Sequence, residues 1–257
     1  MKRPFKIPGV DTGLLVKDAV KRLSPTTRRA FLLGTAGLGS LVLLTGSRVV
    51  DGNSAEALLK RISSMNDHVQ AAMFNPTKLA RTFTEADITR PFPFNAFYIE
   101  ENAPEIAEAE WQLTLGGLIA DKRPWTLAAL RALPQETQIT EHICIEGWSA
   151  IGQWTGVRLS HFLARIGGDL TAKYVGFVCD DRYSTSLDMP TALHPQTQIT
   201  LAFDGGPLPR KYGFPMKVRV PTKLGFKNPK HVVELIVTND YPGGFWEGKG
   251  YNWFSGL

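Results

Sequence analysis

Hydrophobic spacing divides the chain into a leader, one long helix, an irregular span and a series of short elements. From Ala55 to Ala72, Leu58, Leu59, Ile62, Met65 and Val69 recur three and four residues apart, which predicts an amphipathic helix. Residues 73–110 are rich in Pro, Phe and Asn and show no period, so an irregular segment draped on the core is expected. Trp111–Leu115 alternates as a strand and stops at Gly116-Gly117. Thr126 is placed to cap a short helix over Leu127–Leu133. Ile139–Glu146 reads as a strand and Leu159–Ile166 as a helix capped near Ser160. Lys173–Cys179, Met216–Val220 and His231–Thr238 read as further strands. The tail, Tyr241–Leu257, is aromatic and Gly-rich without a phosphate-loop pattern. Strands and helices do not alternate strictly, so the expected class is α+β with mixed short-stranded sheets and peripheral helices.

A chain of 257 residues, 43 % hydrophobic and 21 % charged, is globular in composition and long enough to bury a sizeable core. Its net charge of +5 suggests an anionic partner until its distribution is considered. Residues 1–57 hold nine Lys or Arg against four Asp or Glu, leaving twenty of each sign in the remainder. A neutral body gives no nucleic-acid footprint, and no nucleic-acid partner is expected. The surplus belongs to the leader. Thr27-Arg28-Arg29-Ala30-Phe31-Leu32 resembles a twin-arginine export motif, and Ala30–Ser47 carries no charge. Gly34, Gly37 and Gly39 moderate its hydrophobicity, and Ala55-Glu56-Ala57 has the small-x-small form of a cleavage site. Residues 1–57 are therefore read as a twin-arginine signal or membrane anchor, and residues 58–257 as the functional domain. The Tat translocase would carry that domain, already folded, to the periplasm, tethered to the inner membrane if the leader is retained.

Candidate chemistry centres on Cys144. Alternation along Ile139–Glu146 puts Ile139, Ile143 and Ile145 on one face and His142, Cys144 and Glu146 on the other. The isoleucines are the expected packing face, with the cysteine among titratable groups opposite. A thiolate is a soft ligand suited to a redox metal. One cysteine cannot build a closed four-ligand zinc site, so other ligands would have to come from elsewhere. The bland alternative is a Cys144–Cys179 disulfide in an exported, cofactor-free binding module.

Cys144-Ile-Glu-Gly-Trp-Ser149, followed by Trp154-Thr-Gly-Val157 and Leu159, resembles the molybdopterin-binding domain of the sulfite oxidase superfamily. Asn95-Ala-Phe-Tyr98, Ala172-Lys-Tyr-Val175, Leu193-His-Pro195, Leu208-Pro209 and Val220–Lys227 agree in order, so the likeness spans about residues 90–240. It is greatest to the periplasmic methionine-sulfoxide reductases of that superfamily. The resemblance implies a sulfite-oxidase-like fold and one molybdenum–molybdopterin per chain, with Cys144 as the protein ligand to the metal. It implies oxygen-atom transfer, with reduction of a small-molecule or protein-bound S-oxide or N-oxide as the first expectation. Oxidation of a sulfur compound is the alternative. It places Asn95, Tyr98, Cys179, Tyr212, Lys217, Asn228, Pro229 and Lys230 on the cofactor side. Glu146 is carried as a catalytic candidate that could shuttle protons, with a carboxylate bound to backbone as the equal alternative. The chain departs from the reductase pattern at Ile99, Cys179, Tyr212 and Lys217, where the reductases have Glu, Thr, Asn and Arg. The substrate assignment is the part these changes touch. No haem-attachment motif is present, so electrons are expected from a partner, a membrane cytochrome.

Between Asp204 and Glu234 there is no acid, while Arg210, Lys211, Lys217, Arg219, Lys223, Lys227 and Lys230 are all basic. Such a run can bind a pterin phosphate or form a solvated basic face. Alternation puts Lys217 and Arg219 on one side of their strand. Trp148 and Trp154 read as core or as pocket wall, and His194 as a structural histidine.

Overall fold

A computed structural model describes residues 52–257. The twin-arginine motif at Arg28-Arg29 and the uncharged run Ala30–Ser47 lie outside the described residues. Spatial proximity divides the chain into Met1–Leu59 and Lys60–Leu257, and the sheets, core and cleft all belong to the second unit. The first described element is helix α1, Gly52–Met73, whose backbone includes the expected cleavage site.

Two sheets share one core. The first has the order β2-β1-β10-β5-β6, built from β1 (Gln112–Gly117), β2 (Trp125–Thr126), β5 (Tyr174–Cys179), β6 (Ser184–Asp188) and β10 (Val232–Thr238). β1 and β10 run parallel and the other pairs antiparallel, so the sheet is mixed. The second has the order β3-β4-β7-β8, from β3 (Glu136–Ile143), β4 (Ser149–Arg158), β7 (Gln198–Phe203) and β8 (Gly206–Pro207). β9 (Lys217–Arg219) pairs with β7. Leu113, Val175, Phe177 and Leu235 of the first sheet join Val157, Ile199 and Val218 of the second in one buried cluster. Helices α2 (Leu127–Arg131), α3 (Leu159–Arg165) and α4 (Met189–Ala192) are short. The α+β expectation holds.

Several local expectations hold and others are corrected. Thr126 caps α2, its side chain accepting from the Ala129 amide. The N-cap of α3 is Arg158, not Ser160, and no side chain caps it. β3 ends at Ile143, three residues short of Glu146. Its packing face is the reverse of the expected one: Thr140, His142 and Cys144 are buried, Ile139 and Ile143 are half-buried, and Ile145 is exposed. The polar face points inward because Arg219 and Asn95 await it there. β4, β6 and β7 escape hydrophobic alternation for identifiable reasons. The inward positions of β4 include Ala150, Gly152, Trp154 and Gly156, and a Cβ on Gly156 would fall 1.8 Å from the Ile199 carbonyl. β6 buries Thr185 and Ser186, and β7 buries both of its faces from Gln198 to Leu201.

Helix α1 forms as its spacing predicts but docks by its polar face. Asp67 accepts hydrogen bonds from the Trp253 and Phe254 amides at 3.1 and 2.7 Å and from Asn252 Nδ2 at 3.1 Å. Gln70 Oε1 accepts from the Gly256 amide at 3.1 Å. Ile62, Met65 and Val69 remain exposed.

Candidate active site around Cys144

The β3–β4 turn presents the cysteine. The Cys144 amide donates to the Trp148 carbonyl at 2.8 Å, and the Gly147 amide donates to the Cys144 carbonyl at 3.1 Å. Gly147 has φ +93°, a conformation an L side chain rarely adopts, so the turn depends on glycine there. Cys144 Sγ lies 3.7 Å from Glu146 Oε2, which also accepts from Trp148 Nε1 at 3.0 Å. Burial pushes the Cys144 thiol pKa up, and the Glu146 charge adds to this while backbone hydrogen bonds oppose it. A nearby cation or metal is what would bring the thiolate form within reach. Glu146 itself is exposed and held by Trp148.

Cys144, Ile145 and Glu146 line a cleft of about 600 Å³ that opens to solvent. Asn95–Tyr98 form a second wall, Asp181 and Tyr183 a third, and Phe226 with Asn228–Lys230 a fourth, with Trp246 at the tail side. Asn95, Tyr98, Cys144, Glu146, Asn228, Pro229 and Lys230 are thus brought together as expected. Cys179 and Lys217 lie behind the wall. Burial holds the Cys179 thiol far above its usual pKa, with Asp181 adding to the effect and Lys217 opposing it. Both cysteines are free and buried. Tyr212, expected on the cofactor side, does not line the cleft. Its ring packs against Phe92 and Phe203, and its hydroxyl donates to the Phe92 carbonyl, so it is spent on the aromatic cluster beneath β4.

Under the cleft floor sits a group of cations. Lys217 and Arg219 both lie over the Trp154 ring, at 5.5 and 5.0 Å from its centroid, so they do share one side of β9. Arg219 Nη1 donates to Asn228 Oδ1 and to His142 Nδ1, each at 2.9 Å. With Nδ1 accepting, the imidazole hydrogen belongs on Nε2, which lies 3.3 Å from the Asn95 side-chain amide and can donate to it only through the amide oxygen. Burial holds His142 neutral, far below its usual pKa, and Arg219, Lys217 and Lys230 add to the effect. Gly225 is required by this imidazole, because a Cβ there would stand 2.7 Å from Nε2. Lys230 Nζ donates to the Asn95 and Lys211 carbonyls at 2.6 and 3.0 Å, and burial lowers its pKa to about 8. Lys217 is 2 % exposed and has no hydrogen-bond partner among the described residues. Burial, then Lys230 and Arg219, hold its pKa far below the usual value. A buried ammonium among like charges is unfavourable unless an anion joins it.

Sequence reasoning missed Asp181. Tyr98 Oη donates to its Oδ2 and the Tyr183 amide to its Oδ1, both at 3.0 Å. Burial raises its carboxyl pKa against those two hydrogen bonds. Asp180-Asp181 follows Cys179 directly, but nothing in the sequence distinguishes Asp181 from a surface turn acid. His194 is structural, its ring nitrogens engaged by the Lys78 carbonyl and the Gln196 amide.

The residues suit a molybdopterin cofactor. Among the described residues no three His, Cys, Asp or Glu converge on a metal, so a metal here needs ligands that a cofactor brings. The lone thiol at the cleft and the uncompensated cations beneath it match a metal–dithiolene carrying an anionic tail.

Comparison with known proteins agrees. Residues 100–246 match the oxidoreductase molybdopterin binding domain. A putative protein-methionine-sulfoxide reductase subunit YedZ1 of Azospira oryzae is 55 % identical over 93 % of this chain and 92 % of its own. The protein-methionine-sulfoxide reductase catalytic subunit MsrP of Burkholderia mallei is 27 % identical over 90 % of this chain and 77 % of its own. The sulfane dehydrogenase SoxCD of Paracoccus pantotrophus superposes with a TM-score of 0.51, covering 54 % of this chain and 40 % of that one. At 20 % identity that likeness speaks for the fold, which is sulfite-oxidase-like. The chain therefore belongs to the oxidoreductase molybdopterin-binding family and is an enzyme of that class.

Proposed function

We propose that this enzyme reduces S-oxides, with methionine sulfoxide in polypeptides as the substrate class, at one molybdenum–molybdopterin per chain. The observation that carries the reading is a cysteine thiol at an open cleft with aromatic walls, underlain by buried cations that form no ion pair among the described residues. The named activity of the reductase relatives supports the substrate class. The leader supports export by the Tat route to the periplasm, and the lack of a haem-attachment motif supports a membrane cytochrome as electron donor.

When bound, a molybdenum held by one dithiolene and the Cys144 thiolate supplies oxygen-atom transfer coupled to two electrons. In the balanced reaction a sulfoxide takes up two electrons and two protons, its sulfur–oxygen bond breaks, and a thioether and water leave. Lys217, Arg219 and Lys230 supply a positive field suited to holding an anionic cofactor. Phe97, Tyr98, Phe226 and Trp246 offer apolar walls to a thioether, and the open mouth admits a side chain still attached to its polypeptide. Tyr98 Oη donates to Asp181 Oδ2 at the cleft wall, and this pair is placed to pass a proton to the departing oxygen.

The test is Cys144→Ser, purified with its cofactor and assayed for molybdenum, pterin and sulfoxide-dependent oxidation of a reduced viologen dye. The expected result is retained fold and pterin with turnover reduced at least about a hundredfold. Wild-type turnover in that variant would remove Cys144 as the ligand. Stoichiometric zinc or haem in the wild type would remove the cofactor assignment. Asp181→Asn should cost about a hundredfold and flatten the decline of rate with rising pH.

A further inference from the structure

Helix α1 shows solvent the face that a globular helix normally buries. Ile62, Met65, Val69 and Met73 are 41, 56, 50 and 79 % exposed, and their spacing of three and four puts them in one stripe. The opposite face is the docked one, tied through Asp67 and Gln70 to residues 253–256. The usual amphipathic arrangement is inverted, so the stripe needs an apolar phase outside this domain.

Two observations say what that phase is. First, the uncharged run Ala30–Ser47 ends only four residues before Gly52, and a segment of that kind is received by a bilayer. The chain reaches α1 directly from it. Second, α1 cannot itself cross a bilayer. It carries Lys60, Arg61, Asp67 and His68 in its middle, and no described helix is long and apolar enough to span. A helix with an apolar stripe and a charged remainder lies in the plane of the membrane interface. Asp67 is turned away and engaged by the tail, which leaves Arg61 and His68 as the exposed ionisable groups among the described side chains of α1. That balance suits anionic headgroups.

We propose that α1 docks the domain on an anionic lipid bilayer, with the stripe Ile62–Met65–Val69–Met73 at the headgroup–acyl boundary and Arg61 among the headgroups. The docking would hold the domain against the membrane independently of the leader. It would keep the cleft at a constant height near a membrane-embedded electron donor. The inference rests on the stripe and does not depend on the cofactor or substrate reading.

The experiment uses the full-length, cofactor-loaded chain with Met65→Cys labelled by an environment-sensitive fluorophore. Cys144 and Cys179 are both buried, which directs the label to the new site. Vesicles of phosphatidylethanolamine and phosphatidylglycerol carrying a nitroxide-labelled acyl chain are then added. Blue-shifted, quenched emission is expected at Met65→Cys and Val69→Cys, and none at Lys122→Cys, an exposed position outside α1. Adding Ile62→Gln and Val69→Gln to Met65→Cys should reduce that quenching roughly tenfold while the leader still holds the protein on the vesicles. Equal quenching at positions 65 and 122, or quenching unaffected by the glutamine pair, overturns the proposal. So does a fluorescence change produced by a detergent-solubilised membrane protein and not by vesicles. A leader-free form still quenched at position 65 supports docking by α1 independently of the leader.

Discussion

The seven cations of the acid-free segment end in two contrasting settings. Beneath the C-terminal tail, Lys227 and Glu247, 1 and 2 % exposed by side chain, meet at 2.6 Å, and Glu247 also accepts from Thr185 Oγ1 at 2.6 Å. Lys223 stands 3.9 Å from Asp188 with the Phe254 ring against it. Nearer the surface, Arg210 and Lys211 reach Glu105 and Glu100. Beneath the cleft, Lys217, Arg219 and Lys230 form no ion pair among the described residues; the Nη atoms of Arg219 reach His142, Asn228, Thr140 and a carbonyl, while its buried Nε has no partner there. A stretch of chain without acids is therefore not a region of space without acids. The fold brings four of the seven cations to ion-pair distance of a carboxylate and leaves three without such a pair, Lys230 meeting Asp181 and Glu100 only from farther off. Burial is costly for an unpaired charge, so the unpaired set marks where a bound anion belongs.

The contrast can be broken most forcefully on the tail side. Lys227→Met strands Glu247 in the interior and should destabilise the protein by about 3–5 kcal/mol in urea unfolding. Adding Glu247→Gln should recover most of that loss, because the buried charge is then gone. A single variant as stable as the wild type would mean that the pair is not the support described. On the cleft side the same substitution should have the opposite sign. Lys217→Met should stabilise the cofactor-free protein by about 1–3 kcal/mol, since it removes a buried cation with no partner. It should also lower molybdenum and pterin content about tenfold, the equivalent of one lost charge-assisted contact. Loss of stability without the cofactor, or full cofactor content, would place Lys217 outside the anion site.

The smallest expected effect concerns acid. His142 serves Arg219 only while neutral, and burial with the neighbouring cations holds its pKa far below 6.5. His231 is lowered in the same direction, to about 4. Both folded-state values are depressed, so below about pH 6.5 the unfolded chain takes up protons that the fold refuses. Stability of the cofactor-free protein should fall as pH drops from about 7 to about 5, by about 2 kcal/mol for each histidine. His142→Gln, whose amide oxygen can still accept from Arg219, should flatten part of that slope. An unchanged slope would show that His142 is already charged in the fold.

How much was readable from sequence depends on which interactions each feature uses. β1, β5 and β10 carry regular apolar patterns because their inner faces pack against the core, and α2 announces itself through the Thr126 cap. Cys144 was found as a motif, and the cleft gathers Asn95, Tyr98 and Asn228–Lys230 around it. β4 was invisible because close approach to β7 demands glycine where alternation would ask for bulk. The inward face of β3 was misread for a related reason. Its buried partners, Arg219 and Asn95, are distant in sequence, so His142 was placed opposite the packing face. Tyr212 matched a cofactor-side position by resemblance, and its hydroxyl donates to the Phe92 carbonyl. Asp181 carried no signal, since its role depends on Tyr98 meeting it across 83 residues.

Local order thus indicated the class of the protein: the short strands pointed to an α+β domain, and the Cys144 motif and the stretches in order with it carried the resemblance that implied molybdopterin binding. These are properties of neighbouring residues, and neighbouring residues are what a linear pattern records. Which cations stay uncompensated, which face of β3 is buried and which side of α1 meets solvent were decided only in three dimensions. In each case the deciding energy is the desolvation of a charge or an apolar side chain, and that depends on partners which chain folding, not chain order, brings into contact.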